Sequence, residues 1–262
     1  MKIAICELPH RLAVGDRAWH DMEAELIRQT PELLLLNEMP FGEWLAADDT
    51  YDPAAAARSI EVHEAALPAI QRLPCAVLGS RPVPGPGKLS NEAFLMVEGN
   101  YRPIHHKHYF PQEPGFHEDS WFAPQLGGFD AVNHGELRIG VLLCTELMFT
   151  EWARAYRRQG AHVIIVPRAS GVSVHQWHAA AAMAAISSGC YVLSSNRRGD
   201  SEPSMPHFGG RGFAFSPAGN LIAETSAATP LVTVDIDLQQ VREAQANYPC
   251  YVKELSESRG EN

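Results

Sequence analysis

Short apolar runs of strand length alternate along this chain with stretches of helical period, and that alternation admits few folds. The apolar runs include Lys2–Leu8, Glu32–Leu36, Cys75–Ser80, His162–Pro167 and Cys190–Ser195. Asp16–Gln29 places Trp19, Met22, Leu26 and Ile27 on one helical face. Pro53–Leu73 reads as a helix with Asp52 as N-cap and Pro53 in the first turn. Leu147–Gln159 and the alanine-rich Val174–Ser188 read as two more. Glu92–Glu98 and Arg102–His106 form a hairpin around Gly99-Asn100, and Phe129–Asn133 forms another with Leu137–Leu143. A long loop, Lys107–Gly128, separates the two hairpins, and short strands follow at Gly212–Phe215, Leu221–Glu224 and Leu231–Asp235. Hairpins within such an alternation predict mixed sheets covered by helices, an α/β layered fold. The Pro82–Gly87 stretch is too short to part domains, so residues 1–262 read as one domain with a tail from about residue 246.

Composition narrows the class of function. Twenty-one basic against 31 acidic residues leave a net charge of −10, which argues against a nucleic-acid partner. No apolar run approaches the roughly 18 to 20 residues that span a bilayer. The N-terminal Met1–Glu7 meets an acid too early for a signal peptide. Five cysteines without a CxxC pair argue against a zinc ribbon or redox motif. Cys6, Cys75 and Cys190 read as small core residues, and a reducing, cytoplasmic setting follows.

Three segments end on residues that chemistry can use. Cys144 closes the apolar run Leu137–Leu143 and stands just before a helix. Carboxyl ends of strands are where α/β sheets place their sites, and a helix N-terminus lowers a nearby thiol's pKa. The alternative is a core cysteine. Glu38 ends Leu33-Leu34-Leu35-Leu36-Asn37-Glu38; a carboxylate there pairs, acts as a base, or simply reaches water. Lys107 ends the second strand of a hairpin. The chain has 17 arginines and only four lysines, so a lysine deep in the sequence points to a need for a compact charge, against the plainer reading of a surface side chain.

The order Glu38, Lys107, Cys144 resembles the catalytic triad of the nitrilase, or carbon–nitrogen hydrolase, superfamily, in its amidase-like branch. Leu36-Asn37-Glu38 resembles that family's strand ending in Pro-Glu. Lys107-His108-Tyr109-Phe110-Pro111 is similar to its Lys-x-His-Leu-Pro segment, and Gly140–Glu146 to its Gly-x-x-x-Cys box. Ala161–Pro167, Gly189–Gly199, Ser216–Gly219 and Leu231–Asp237 resemble later landmarks, so the likeness runs from about residue 2 to 245. It implies a four-layer α-β-β-α sandwich and a second glutamate after the lysine. Gly115–Glu118 followed by Trp121-Phe122 selects Glu118 for that role, while Glu113 reads as part of an exposed turn. The chain departs from the pattern at Asn37, Thr145 and Gly212, and Leu147, Met148 and Phe149 are apolar where some members carry carboxylate-reading arginines.

The implied function is hydrolysis of a small non-peptide amide through a cysteine thioester, without metal or organic cofactor. Glu38 is the expected base, Lys107 and the Thr145 backbone N–H the oxyanion donors, and Glu118 the orienting acid. Nitrile hydrolysis or acyl transfer on the same triad, and a non-catalytic scaffold on the same fold, are the alternatives. Trp44, Phe149 and Arg168 are candidate pocket residues, beside Phe41, Tyr109 and Phe116. Arg197-Arg198 reads as a solvated pair rather than an anion clamp. His105 and His106 alternate on a strand and cannot converge on a metal, and His175 and His178 have no HExxH context. The family usually pairs protomers, so a homodimer or larger even homo-oligomer is implied, with helices Leu147–Gln159 and Val174–Ser188 as interface candidates.

Overall fold

The computed structural model describes residues 1–125, 127–199 and 205–253. In chain order the first sheet and its helices come from β1 (Lys2–Pro9), α1 (Arg17–Gln29), β2 (Leu33–Leu35), α2 (Pro53–Ile70), β3 (Ala76–Pro84), β4 (Leu89–Val97) and β5 (Asn100–His106). A small hairpin, β6 (Gln112–Glu113) and β7 (Phe116–His117), and one helical turn, α3 (Glu118–Trp121), occupy the stretch expected to be a long loop. The second sheet and its helices come from β8 (Val132–His134), β9 (Leu137–Val141), α4 (Glu151–Arg158), β10 (Val163–Arg168), α5 (His175–Ser188), β11 (Tyr191–Gly199), β12 (Phe208–Gly209), β13 (Phe213–Phe215) and β14 (Leu221–Glu224). β15 (Leu231–Asp235) returns to the first sheet, and α6 (Leu238–Ala246) follows it.

Strands bond in the order β5-β4-β3-β2-β1-β11-β10-β9-β8. β1 joins the halves. Its first residues pair antiparallel with β15, Lys2 opposite Asp235 through Cys6 opposite Leu231. Its last, Glu7–Pro9, pair parallel with Asn196–Arg198 of β11. The strand period of two then builds the layers. Ile3, Ile5, Leu33, Leu35 and Leu78 share one buried cluster with Ile139, Val141, Val163, Ile165 and Leu193 of the other half. The intervening Ala4, Cys6, Leu34 and Val77 instead meet Trp19, Met22 and Leu26 of α1 and Ala66, Ala69 and Ile70 of α2. Ile164, Val166 and Val192 meet Ala153 and Tyr156 of α4 and Ala181, Ala184 and Ala185 of α5. Two sheets face to face with helices outside each are the α-β-β-α sandwich. Each fully buried Leu or Ile contributes about 1.5–3 kcal/mol relative to exposure.

Local chemistry sets the helix limits. The Asp52 side chain accepts from the Ala54 N–H at 2.8 Å and starts α2. α5 stops at Gly189, whose φ of +66° suits glycine. The helix expected over Leu147–Gln159 is divided: Cys144–Met148 is a 3₁₀ turn, and α4 begins only at Glu151. α4 packs close because Gly140 leaves room; a Cβ there would sit 2.5 Å from the Tyr156 ring. The region expected to be tail begins where α6 ends, and its Cys250 is buried against the end of α5, with Sγ 3.5 Å from the Ile186 carbonyl. Among the described residues no helix is long and apolar enough to cross a membrane.

Candidate active site

Parallel pairing fixes where the reactive residues lie. β1, β2 and β3 run parallel to one another, and so do β9, β10 and β11. β4 reverses and β5 reverses again, so β5 is parallel to β3. Residues just past β2, β5, β9 and β10 therefore gather at one end of the sandwich. These are Glu38, Lys107, Cys144 and Ala169.

The structure brings Glu38, Lys107 and Glu118 into one buried cluster. Lys107 Nζ donates to Glu38 Oε1 at 2.8 Å and to Glu118 Oε2 at 2.5 Å. Asn91 Nδ2 donates to the same Glu38 oxygen at 2.8 Å, and its carbonyl accepts from the Lys107 N–H at 2.9 Å. Glu38 Oε2 and Glu118 Oε1 are buried without a hydrogen-bond partner among the described residues. Burial works against the Lys107 charge, but the Glu118 and Glu38 carboxylates outweigh it and hold the ammonium charged. Glu118 is pushed up to about 7 by burial, opposed by Lys107 and reinforced by Glu38.

Cys144 stands beside this cluster at φ +51°, a left-handed conformation that costs a non-glycine residue about 1–3 kcal/mol. Its thiol is raised well above the ordinary range, first by burial and then by the Glu38 charge. Lys107 and a hydrogen bond with the Ala169 backbone pull it down without offsetting burial, so the net lowering expected at a helix N-terminus is not found; a 3₁₀ turn and not an α-helix starts at Cys144.

Two buried side chains hold the cluster in register. Glu146 accepts from the Leu143 N–H, the His108 N–H and His105 Nε2, each at 2.7 Å. Leu143 precedes Cys144 and His108 follows Lys107, so one carboxylate ties the two segments together. Arg197, expected to be solvated, is fully buried. It donates to the Met39 carbonyl, to the Glu38 carbonyl at 3.4 Å and to His10 Nδ1 at 2.8 Å, and packs against the rings of Trp44 and Phe208. It supports the turn where Met39 takes φ +42°. Arg198 is partly exposed, 3.4 Å from Glu7 Oε1.

Cys144 and Thr145 open onto a cleft of about 680 Å³. Glu118, Glu113, Phe116, Met148 and Trp177 also line it. The pocket candidates Trp44, Phe149 and Arg168 do not line it. Trp44 is buried with Nε1 on the Gly115 carbonyl, and Phe149 stacks on Tyr109 at 3.7 Å. Phe41 packs against Trp19 and His63, away from the cleft. Arg168 spends its guanidinium on Ser194 Oγ, Ser170 Oγ and the Arg211 carbonyl, behind Trp177. Burial pulls its pKa down to about 10. His105 and His106 face apart: His105 bonds Glu146, and His106 lies 3.2 Å from Glu92. Among the described residues no group of three or more His, Cys, Asp or Glu is placed to hold a metal.

A four-layer sandwich with a carboxylate, an ammonium and a thiol gathered at its strand ends defines a class of carbon–nitrogen bond hydrolases. A family model of that description, carbon–nitrogen hydrolase, matches residues 2–246, and the chain belongs to that family. It is similar to an N-carbamoylputrescine amidase of Arabidopsis thaliana, 28% identical over 177 residues. The match covers 60% of this chain and 57% of the relative, so the chain spans little more than half the length of that protein. A carbon–nitrogen hydrolase from Helicobacter pylori G27 shares the fold with a TM-score of 0.84 at 19% identity, covering 95% of this chain and 94% of that one. An amidase from Nesterenkonia sp. does so with a TM-score of 0.76 at 21% identity, covering 94% of each.

Proposed function

We propose that the protein is an amidase: it hydrolyses the C–N bond of a small, linear, non-peptide amide through a thioester on Cys144. The observation that carries this reading is the Lys107 ammonium bridging Glu38 and Glu118 just beneath the floor of the cleft that Cys144 and Glu118 line. Because the thiol rests protonated, its proton moves to Glu38 as sulfur attacks the amide carbon. The partner-free Glu38 Oε2 supports that role. The oxyanion is met by Lys107 Nζ and the Thr145 N–H; one such donor is worth about 10²–10³ in rate. Glu38 then protonates the leaving nitrogen, and the C–N bond breaks. Water attacks the thioester, giving up a proton to Glu38, and the acid leaves as that proton returns to sulfur. Glu118 keeps Lys107 in place and charged. The scheme uses only protein groups and water.

The test is a panel of amides, carbamoyl compounds and nitriles, with wild type beside Cys144→Ala. Acid quenching during amide turnover should leave an acyl mass on the peptide containing Cys144. An acyl group on Cys190 or Cys250, or turnover surviving in Cys144→Ala, would refute the assignment. Acid and ammonia released from a nitrile, or hydroxamate formed with hydroxylamine, would shift it to nitrile hydrolysis or acyl transfer. No turnover of any compound would favour the scaffold reading. The same proposal places the chain in the cytoplasm as a single working domain. Copies pair as a homodimer or larger even oligomer through α4 and α5, and Met183 and Ile186 of α5 are exposed apolar side chains.

A further inference from the structure

The cleft carries a charge pattern that the reaction scheme does not use. In the β6–β7 hairpin Glu113 pairs with Phe116 and Gln112 with His117. Opposed residues of an antiparallel pair share a face, and neighbours along a strand do not. Gln112 turns its amide to Ser120 Oγ at 3.0 Å. Glu113 and Phe116 both line the cleft with Cys144. The Glu113 carboxylate is exposed, and among the described residues it makes no ion pair or side-chain hydrogen bond.

Among the described residues nothing in the cleft offsets that charge. Among the described residues no lysine or arginine lines it. Lys107 lies beneath the floor between two carboxylates, and Arg168 lies behind the wall with all three of its nitrogens engaged. The remaining wall is largely apolar, with Pro111, Phe116, Met148, Val172 and Trp177. A carboxylate entering here loses water and gains no cation, which is costly. An ammonium gains Glu113 and aromatic faces.

Resting on the amidase reading, we propose that the substrate carries a cation, an ammonium or guanidinium, at the end remote from its amide, and that Glu113 is the residue that selects it. About 680 Å³ holds an amide on a chain of several carbons. The reaction's product is then itself a cation-bearing acid or amine.

The experiment uses three linear amides of equal chain length, ending in an amine, a methyl or a carboxylate. Wild type, Glu113→Gln and Glu113→Lys are each measured for kcat/KM. Wild type should prefer the amine-ended amide to the methyl-ended one by about fivefold, the worth of one partly exposed ion pair. Its preference over the carboxylate-ended amide should be larger still. Glu113→Gln should bring the amine-to-methyl ratio near one, and Glu113→Lys should invert the order in favour of the carboxylate. Added salt should shrink the wild-type ratio and leave that of Glu113→Gln flat. A ratio that survives in Glu113→Gln, or a wild type that favours the carboxylate, overturns the inference while the amidase reading stands. Failure of wild type to turn over any of the three, with Cys144→Ala indistinguishable from it, overturns both.

Discussion

Replacing Glu146 by glutamine keeps the shape of the side chain and removes one acceptor, so its cost can be worked from the hydrogen bonds. Oε1 takes the His108 N–H, and Oε2 takes the Leu143 N–H and His105 Nε2, all at 2.7 Å. An ionised carboxylate only accepts, so His105 donates. Glutamine offers one oxygen and one NH₂. In its better orientation the oxygen keeps Leu143 and His105, and the NH₂ points at the His108 N–H. One charge-assisted bond is lost and one buried donor is stranded, for about 2–4 kcal/mol in all. That is a large share of the roughly 5–15 kcal/mol that holds a native protein together. The stranded N–H adjoins Lys107, so the ammonium shifts relative to Cys144. A misplacement of about 1 Å costs on the order of 10²-fold in rate. Urea melts at pH 7 should show a lower midpoint at unchanged slope. Amide turnover by the folded variant should fall by about 10²-fold. A loss of stability under about 0.5 kcal/mol, or wild-type kcat, would refute the account.

Lys107→Arg keeps the charge but presents a planar fork between Glu38 and Glu118; kcat should fall by about 10²-fold or more, and near-normal kcat in a folded variant would contradict the oxyanion role. Glu118 titrates near 7 when folded and near 4.5 when unfolded, so the native state binds the extra proton between those values. Its contribution is full below pH 4.5 and is lost as pH rises through 7; denaturant melts across that window should show a shallower decline for Glu118→Gln than for wild type. Glu118→Gln should also lower kcat strongly where Glu113→Gln is mild on the methyl-ended amide, and the reverse ranking would move the orienting role to Glu113. At Cys144, glycine suits φ +51° and alanine does not, so Cys144→Gly should melt above Cys144→Ala by about 1 kcal/mol although neither turns over amide; equal stabilities would remove the claim of backbone strain.

The sequence made the strands legible because their faces are all apolar: Ile3 and Ala4 point to different layers, yet both read as core. Lys107 stood out because the chain otherwise uses arginine, and Cys144 because an apolar run stops there. Residues whose meaning depends on distant partners were harder to read. Glu146 showed only as an acid two places after the cysteine, since His105 and His108 lie some forty positions away. Arg197 reads as solvated because arginines usually reach water; its burial depends on Trp44, Phe208 and the Met39 carbonyl. The pocket candidates lie close in sequence to the motifs, but packing turns Trp44 and Phe149 inward. α6 leaves little trace in the sequence because Leu238 and Val241 alone mark its apolar side, with only Val241 fully buried.

β1 has a consequence for how the chain is made. Its Lys2–Cys6 portion waits for Leu231–Asp235, and its Glu7–Pro9 portion for Asn196–Arg198. At roughly 5–20 residues per second, tens of seconds of synthesis separate the first strand from the last of its partners. Throughout that interval one edge of an apolar strand stays unpaired, an invitation to mispairing with another nascent chain. Contacts so far apart in sequence also slow folding, because loop closure precedes the reward. Yield of folded protein should therefore depend on chaperones and on low expression temperature more steeply than the stability of the finished molecule implies. Shielding the strand during translation, and not strengthening the native core, is the route to better recovery.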